Sequence, residues 1–395
     1  MRYGPPRRRR ERSDRPMTSR ERVLAALQHR EPDKVPLDLG GHQTGIHVRA
    51  YKKLAEHLKL NEPITVMDPV QQLARPSERV LQFLGIDTRY VWGGMFDPPA
   101  VLTEVKPGFW GFKDGFGVVW AMPGARPGEG LYCDIVEHPL ADVPYDELDG
   151  YPWPSGHAPA AVKGLREYAL KIRNETPYAL VSGISGVVFE ICWYMRGLRQ
   201  FYIDMMEDER YLGAQLEHTF RYWTEYLDDF LHEVGDLLDV ICIGDDLAMQ
   251  SGPIFPPEVY RSLVKPYHKR LCEFIRHRTS AKIHYHSCGS VIEYLDDLIE
   301  IGVDIINPVQ IAARGMEPAR LKKRFGDRIV FWGGGIDTQH TFPRGTPSEV
   351  KAEVARNLSA FKPGGGYVFT SVHNIQADVP LPNLLAFWES AWEHR

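Results

Sequence analysis

Eight short apolar runs of β-forming residues recur along the chain, most of them separated by stretches with helical periodicity. They are KVPLDL (34–39), TRYVWG (88–93), YALVSGIS (178–185), LLDVICIG (237–244), AKIHYHS (281–287), VDIINPV (303–309), RIVFWGG (328–334) and GYVFTSV (366–372). Helical patterns occupy 206–234, 257–278, 290–300, 316–325 and 347–361. Strand-helix alternation predicts parallel strands. Eight of them predict closure into a (β/α)8 barrel, an α/β fold. A doubly wound open sheet is the alternative, but no GxGxxG follows the first run.

Thr18-Ser19-Arg20-Glu21 reads as a capping box that opens the helix SRERVLAALQHR, with Pro32 beyond its end. The interval 94–177 interrupts the alternation after the second run. Its first part, GFWGFKDGFGVVWAMPGARPGEGLY, is rich in Gly, Pro and aromatics, and a helix follows near 159–173. We expect 95–155 to be an inserted β-rich excursion or lid, with Phe116 or Trp120 facing a cavity. The other reading is that its aromatics staple a hairpin to the barrel.

Bulk properties narrow the picture without changing it. The chain has 395 residues, 43% hydrophobic and 25% charged, which is ordinary for a globular protein and enough for one large barrel. No uncharged apolar run of about 18 residues occurs, so a membrane span is not expected. The segment 1–16 carries seven Arg against Glu11 and Asp14, with no apolar core of the secretory kind, and is expected to be a disordered basic tail before a body spanning 17–395. The whole chain is at net −5, so that body is at net −10, which argues against nucleic-acid binding by the fold. Five cysteines with no CxxC pair favour a reducing cytoplasm.

Polar residues gather where each run ends, the end that carries function in barrels of this kind. Gly40-Gly41-His42 follows the first run, and Gly183-Ile184-Ser185 the third, with Glu190 beyond. Asp245-Asp246 with Gln250, and His286-Ser287-Cys288-Gly289, follow the fourth and fifth. Asn307-Pro308 with Gln310, Gly333–Gly335 with Asp337, and His373-Asn374 with Gln376 complete the rim. In KIHYHSCGSV, His284, His286 and Cys288 share one parity, so a strand points them to one face. Positions two apart stand about 6.5–7 Å apart, close enough for both side chains to lean onto one cation. His373 can approach across the barrel as third ligand, and three mixed imidazole and thiolate ligands suit zinc with a fourth position open. His284 lies deeper and reads as core or a support for the ligands. A lone buried Cys or strand His is ordinarily core. Of Asp245 and Asp246, one is expected to cap a helix and the other to face the cavity as base or orienting group. The Gly333–Gly335 run could cradle an anion or be a plain tight turn.

TSRERVLAALQHREPDKVPLDLGG, GDDLAMQSGPIFPPEVYRSLVKPYHKRL, HYHSCGSV and GGGYVFTSVHNIQADVPLPNLLAFW together resemble the uroporphyrinogen decarboxylase superfamily, over roughly residues 18–393. The resemblance implies a (β/α)8 barrel. True decarboxylases of this kind carry an arginine-rich RQAGR-type segment after the first strand; here the place reads DLGGHQTGIHVRAY, with only Arg49 nearby. Zinc-dependent methyltransferases of the superfamily carry His-x-Cys-Gly after the fifth strand and a Cys near the C-terminus. His286 and Cys288 match the first pair, and His373 stands where the Cys is expected. One thiolate fewer makes the metal a stronger Lewis acid.

By this resemblance the chain is expected to move a methyl group between a methylated corrinoid and a thiol or folate acceptor, in a setting such as a demethylation system. Zinc would sit on His286, Cys288 and His373, with Asp245 and Asp246 catalytic. His42, Glu190, Gln250, Asn307, Gln310, Asp337, Phe116 and Trp120 would bind substrate. A corrinoid protein and a second copy of the chain are the expected partners. The alternatives are a tetrapyrrole decarboxylase using Asp245 or Asp246 against pyrrole nitrogens, and a non-catalytic corrinoid or tetrapyrrole binder.

Overall fold

The structure is a computed structural model that describes residues 15–92, 101–123, 130–182 and 188–395. The 1–14 part of the basic tail, Gly183–Ser185 and parts of the 95–155 excursion therefore lie outside the described residues. Seven parallel strands follow one another around a curled sheet: Thr88–Val91, Ala179–Ser182, Val240–Gly244, Lys282–His286, Ile305–Asn307, Val330–Trp332 and Tyr367–Val368. The first predicted run supplies the eighth stave. Leu37 bridges Phe369 in parallel, Phe369 N donates to Pro36 O (2.9 Å) and Asp87 N donates to Leu37 O (2.8 Å). Residues 35–39 thus lie between the first and last of the seven strands and close the barrel.

Alternation along each strand sorts the side chains. Ile241, Ile243, Ile283 and Tyr285 face the helical layer, while Tyr90, Val181, Cys242, Ile305, Trp332 and Val368 fill the barrel. Burying a side chain the size of Val or Ile stabilises by about 1.5–3 kcal/mol, so the register of every strand is pinned by its parity. The N-terminal end is plugged by the helix Ser19–Leu27, whose Val23, Ala26 and Leu27 join the interior cluster. Its capping box forms as expected between Thr18 and Glu21. The outer layer includes Leu165–Glu175, Glu209–Val234, Lys265–Arg276, Pro318–Phe325 and Pro347–Phe361.

Two excursions stand on the strand-end side. Ile46–His47, Val66–Asp68 and Leu73–Ala74 form a small antiparallel sheet. The long insertion forms a four-stranded antiparallel sheet of Thr103–Lys106, Phe109–Lys113, Val119–Pro123 and Asp134–Glu137, the β-rich excursion the composition predicts. All five cysteines are free, and among the described residues no helix is long and apolar enough to cross a membrane.

Candidate metal centre

The centre is built where the Lys282–His286 strand ends. In register, His286 faces Gly244 on one neighbour and Asn307 on the other. A Cβ on Gly244 would come within 2.5 Å of the His286 carbonyl and 2.7 Å of its Cβ, so only glycine seats His286 here. Beyond the strand the backbone turns at Gly289 (φ +84), where a side chain would strike the Ala248 and Met249 carbonyls. The loop between is clamped: Cys288 N donates to Asp246 Oδ1 (2.6 Å), Gly289 N to Gln310 Oε1 (2.6 Å) and Leu247 N to Ser287 Oγ (2.9 Å). His373 arrives after the last strand, its carbonyl accepting from Ser371 Oγ (2.6 Å). One ligand atom each from His286, Cys288 and His373 all lie within 4.8 Å of one another, with His286 Nε2 3.5 Å from Cys288 Sγ.

These groups are disposed as metal ligands. His286 Nδ1 lies 2.6 Å from Asn307 Oδ1, and Asn307 Nδ2 donates to the Trp332 carbonyl (2.9 Å), so the amide must present its oxygen to the ring. Nδ1 therefore carries the proton and Nε2 keeps its lone pair toward Cys288, the second partner ordinarily found behind a ligating histidine. Burial holds His286 neutral, down to about 4, although the Asn307 bond acts the other way; His373 goes down to about 3 by burial and then the nearby His286. The Cys288 thiol is driven well up, by burial first and then by the Asp246 and Glu190 charges. A cation of zinc type fits this set, since its binding is what would make Cys288 a thiolate.

The three ligands open into a cavity of about 590 Å³ whose wall includes Asp68, Trp120, Tyr132, Glu190, Trp193, Tyr194 and Asp246. Among the described residues no Lys or Arg lines it. Glu190 is held well above the usual carboxylate range, by burial first and then by Asp246 and Asp245. Asp246 is raised too, chiefly by burial, against the hydrogen bond from the Cys288 amide. Elsewhere His42 Nδ1 sits 3.2 Å from Asp68 Oδ2, which also accepts from Gln71 Nε2 (2.8 Å). Asp68 Oδ1 accepts from the Val70 and Gln71 amides, so its own turn holds it. A larger groove of about 990 Å³, between 159–166 and 228–236 on the outer helices, contains none of these groups.

Of the residues the sequence nominated, His42, Trp120, Glu190, Asp246, His286, Cys288 and His373 meet at this cavity. The others do different work. Asp245 is fully buried and accepts from the Val188, Phe189 and Glu190 amides and bonds His268 Nε2 (2.9 Å); it caps the helix Glu190–Arg196 and is not free to act on a substrate. Asn307, also fully buried, positions His286, and Gln310 positions Gly289. Gln250 is exposed outside the cavity wall, with its carbonyl taken by Arg314 N. Asp337 caps its own turn through Gln339 N and His340. Phe116 turns away and packs edge-on against Tyr222 (4.6 Å). The Gly333 and Gly335 amides serve the Val368 and Thr370 carbonyls, so they cradle no anion. His284 is buried against Trp332 in the barrel interior. Tyr132, one of the aromatics of the 95–155 insertion, also reaches the wall. Asp68, Gln71, Trp193 and Tyr194 escaped the sequence reading; the one local signal was the turn-forming Asp68-Pro69 with Gln71 amid apolar residues.

Known proteins agree with this architecture. Residues 145–394 match the uroporphyrinogen decarboxylase (URO-D) family. A uroporphyrinogen decarboxylase of Psychromonas ingrahamii is 25% identical over 292 residues, 70% of this chain and 77% of that protein. One of Pseudomonas aeruginosa is 22% identical over 296 residues, with the same shares. A methyltransferase from Methanosarcina mazei superposes with a TM-score of 0.64 at 18% identity, covering 95% of this chain and 99% of that one, which establishes a common fold. Family match, closed barrel and strand-end site converge: this chain belongs to the uroporphyrinogen decarboxylase family.

Proposed function

We propose that this member is a zinc-dependent methyltransferase that moves a methyl group between a methylated corrinoid, carried by a corrinoid protein, and a small thiol or folate acceptor. The observation that carries the reading is the convergence of His286 Nε2, Cys288 Sγ and His373, with His286 oriented by Asn307. A bound zinc would act as a Lewis acid on the acceptor heteroatom, favouring its deprotonated, nucleophilic form. The chain's own residues supply the rest. Asn307, Asp246 and Gln310 hold the segment that carries His286 and Cys288, and Ser371 holds the His373 carbonyl. Asp246, 4.0 Å from His286 Nε2 and beside Glu190, is placed to take up the acceptor's proton. Trp120, Trp193 and Tyr194 wall the cavity on one side with aromatic surface. Methyl loss from methylcobalamin to a thiol, followed by its visible spectrum, tests this: turnover should need zinc and fail in Cys288→Ser.

The relatives' name favours a second reading, tetrapyrrole decarboxylation. A polycarboxylate substrate calls for cationic partners, and the described cavity wall offers carboxylates and no Lys or Arg. Incubation with uroporphyrinogen decides between them, since a four-carboxylate product would reverse the order.

A further inference from the structure

The metal ligands leave another part of the wall unexplained. Tyr194 packs edge-on against Trp120 (5.2 Å between ring centres) and against Trp193 (4.2 Å). Its hydroxyl donates to Glu190 Oε1 (3.1 Å), which brings a carboxylate to the edge of the aromatic cluster. Trp120 is fixed in turn, because its Nε1 donates to Asp114 Oδ2 (2.8 Å). Three ring systems and an acid therefore line one cavity, and they are held by one another rather than left to adjust.

The charge balance of the cavity is one-sided. Asp68, Asp134, Glu190 and Asp246 line it, and among the described residues no Lys or Arg does. Burial raises Glu190 above the usual carboxylate range, and a cation entering beside it favours the ionised form. Ring faces carry the negative end of the aromatic quadrupole, so they attract a cation whose charge is spread over alkyl groups. An anionic ligand meets repulsion from the same wall.

We propose that the cavity takes a small methylated ammonium ion, its N-methyl groups against Trp120, Trp193 and Tyr194 and its charge toward Glu190. The proposal is a binding preference that stands on the wall itself and assigns the ion no part in the methyl transfer proposed above. Choline and 3,3-dimethylbutan-1-ol test it, because they share a shape and differ in charge, with 3,3-dimethylbutanoate as the anionic counterpart. By calorimetric titration of the purified protein, choline should bind at least about tenfold tighter than the alcohol and the carboxylate weakest of all. Glu190→Gln and Trp193→Leu should each shrink that preference severalfold. Equal affinities for choline and the alcohol, tightest binding by the carboxylate, or a preference untouched in both variants would overturn the proposal. Zinc measured on the same samples separates the two ideas: selectivity without zinc keeps this one and removes the metal reading, and zinc without selectivity does the reverse.

Discussion

Asn307→Leu removes the acceptor behind His286 while keeping roughly the side-chain volume, and its consequences can be worked out. Asn307 Oδ1 lies 2.6 Å from His286 Nδ1 in a fully buried site, and its Nδ2 serves the Trp332 carbonyl. Leucine leaves that N–H and that carbonyl without partners, and each buried orphan costs about 1–3 kcal/mol of stability. The ring can also turn or shift its proton to Nε2, which removes the lone pair aimed at Cys288. Losing such a support weakens metal binding by about 10- to 100-fold, equivalent to about 1.4–2.7 kcal/mol. Competition between the protein and a chromogenic chelator for zinc, at neutral pH, reads this directly, and calorimetry reads the stability loss. Asn307→Asp restores an acceptor and should recover most of the affinity. A leucine variant that is less stable yet binds zinc within about twofold of wild type would show that Asn307 serves packing alone.

Other outcomes follow from the same geometry. Gly244→Ala sets a methyl group within 2.7 Å of the His286 Cβ, and should cost about 1–3 kcal/mol together with zinc affinity; unchanged zinc binding would mean the strands part without moving the ligand. His284, with Nδ1 unpartnered among the described residues, is pushed from 6.5 down to about 3, by burial first and then by His286. Its folded pKa lies below the unfolded one, so its contribution is intact above about pH 6.5 and is lost as pH falls toward the folded value. His284→Leu should therefore reduce acid destabilisation of the metal-free protein by about 2 kcal/mol between pH 6.5 and 5, measured by denaturant unfolding; parallel pH curves for the two proteins would refute it. Trp120→Ala should weaken ligand binding at the cavity, whereas Phe116→Ala should lower only Tm, because Phe116 packs on Tyr222; a selective ligand defect in Phe116→Ala would reverse that assignment.

Much of this was legible in the chain. The parallel strands announced themselves because burial on both faces demands apolar runs, and VICIG and KIHYH form strands within the predicted runs. Parity likewise placed His286 and Cys288 on one side. What failed was the choice among polar residues near strand ends, since sequence shows position and not where a side chain finds its partner. Asp245 and Asp246 are neighbours, yet one caps a helix 55 residues upstream through Glu190 N and the other meets Cys288 N. Asn307 and Gln310 turned out to support ligands from the adjoining loop. Asp68, Trp193 and Tyr194 come from segments whose return to the barrel mouth is a tertiary fact with no local period to reveal it. Phe116 and Trp120 sit four apart on the same insertion but face different surroundings, which the turn held by Asp114 decides.

The central claim is that His286, Cys288 and His373 hold a metal, and metal content tests it most directly. Protein purified without chelator, analysed by plasma emission spectrometry, should carry about one zinc per chain, and Cys288→Ser and His373→Ala should each lose most of it. Less than about 0.2 zinc per chain, with Cys288→Ser no different from wild type, would contradict the account.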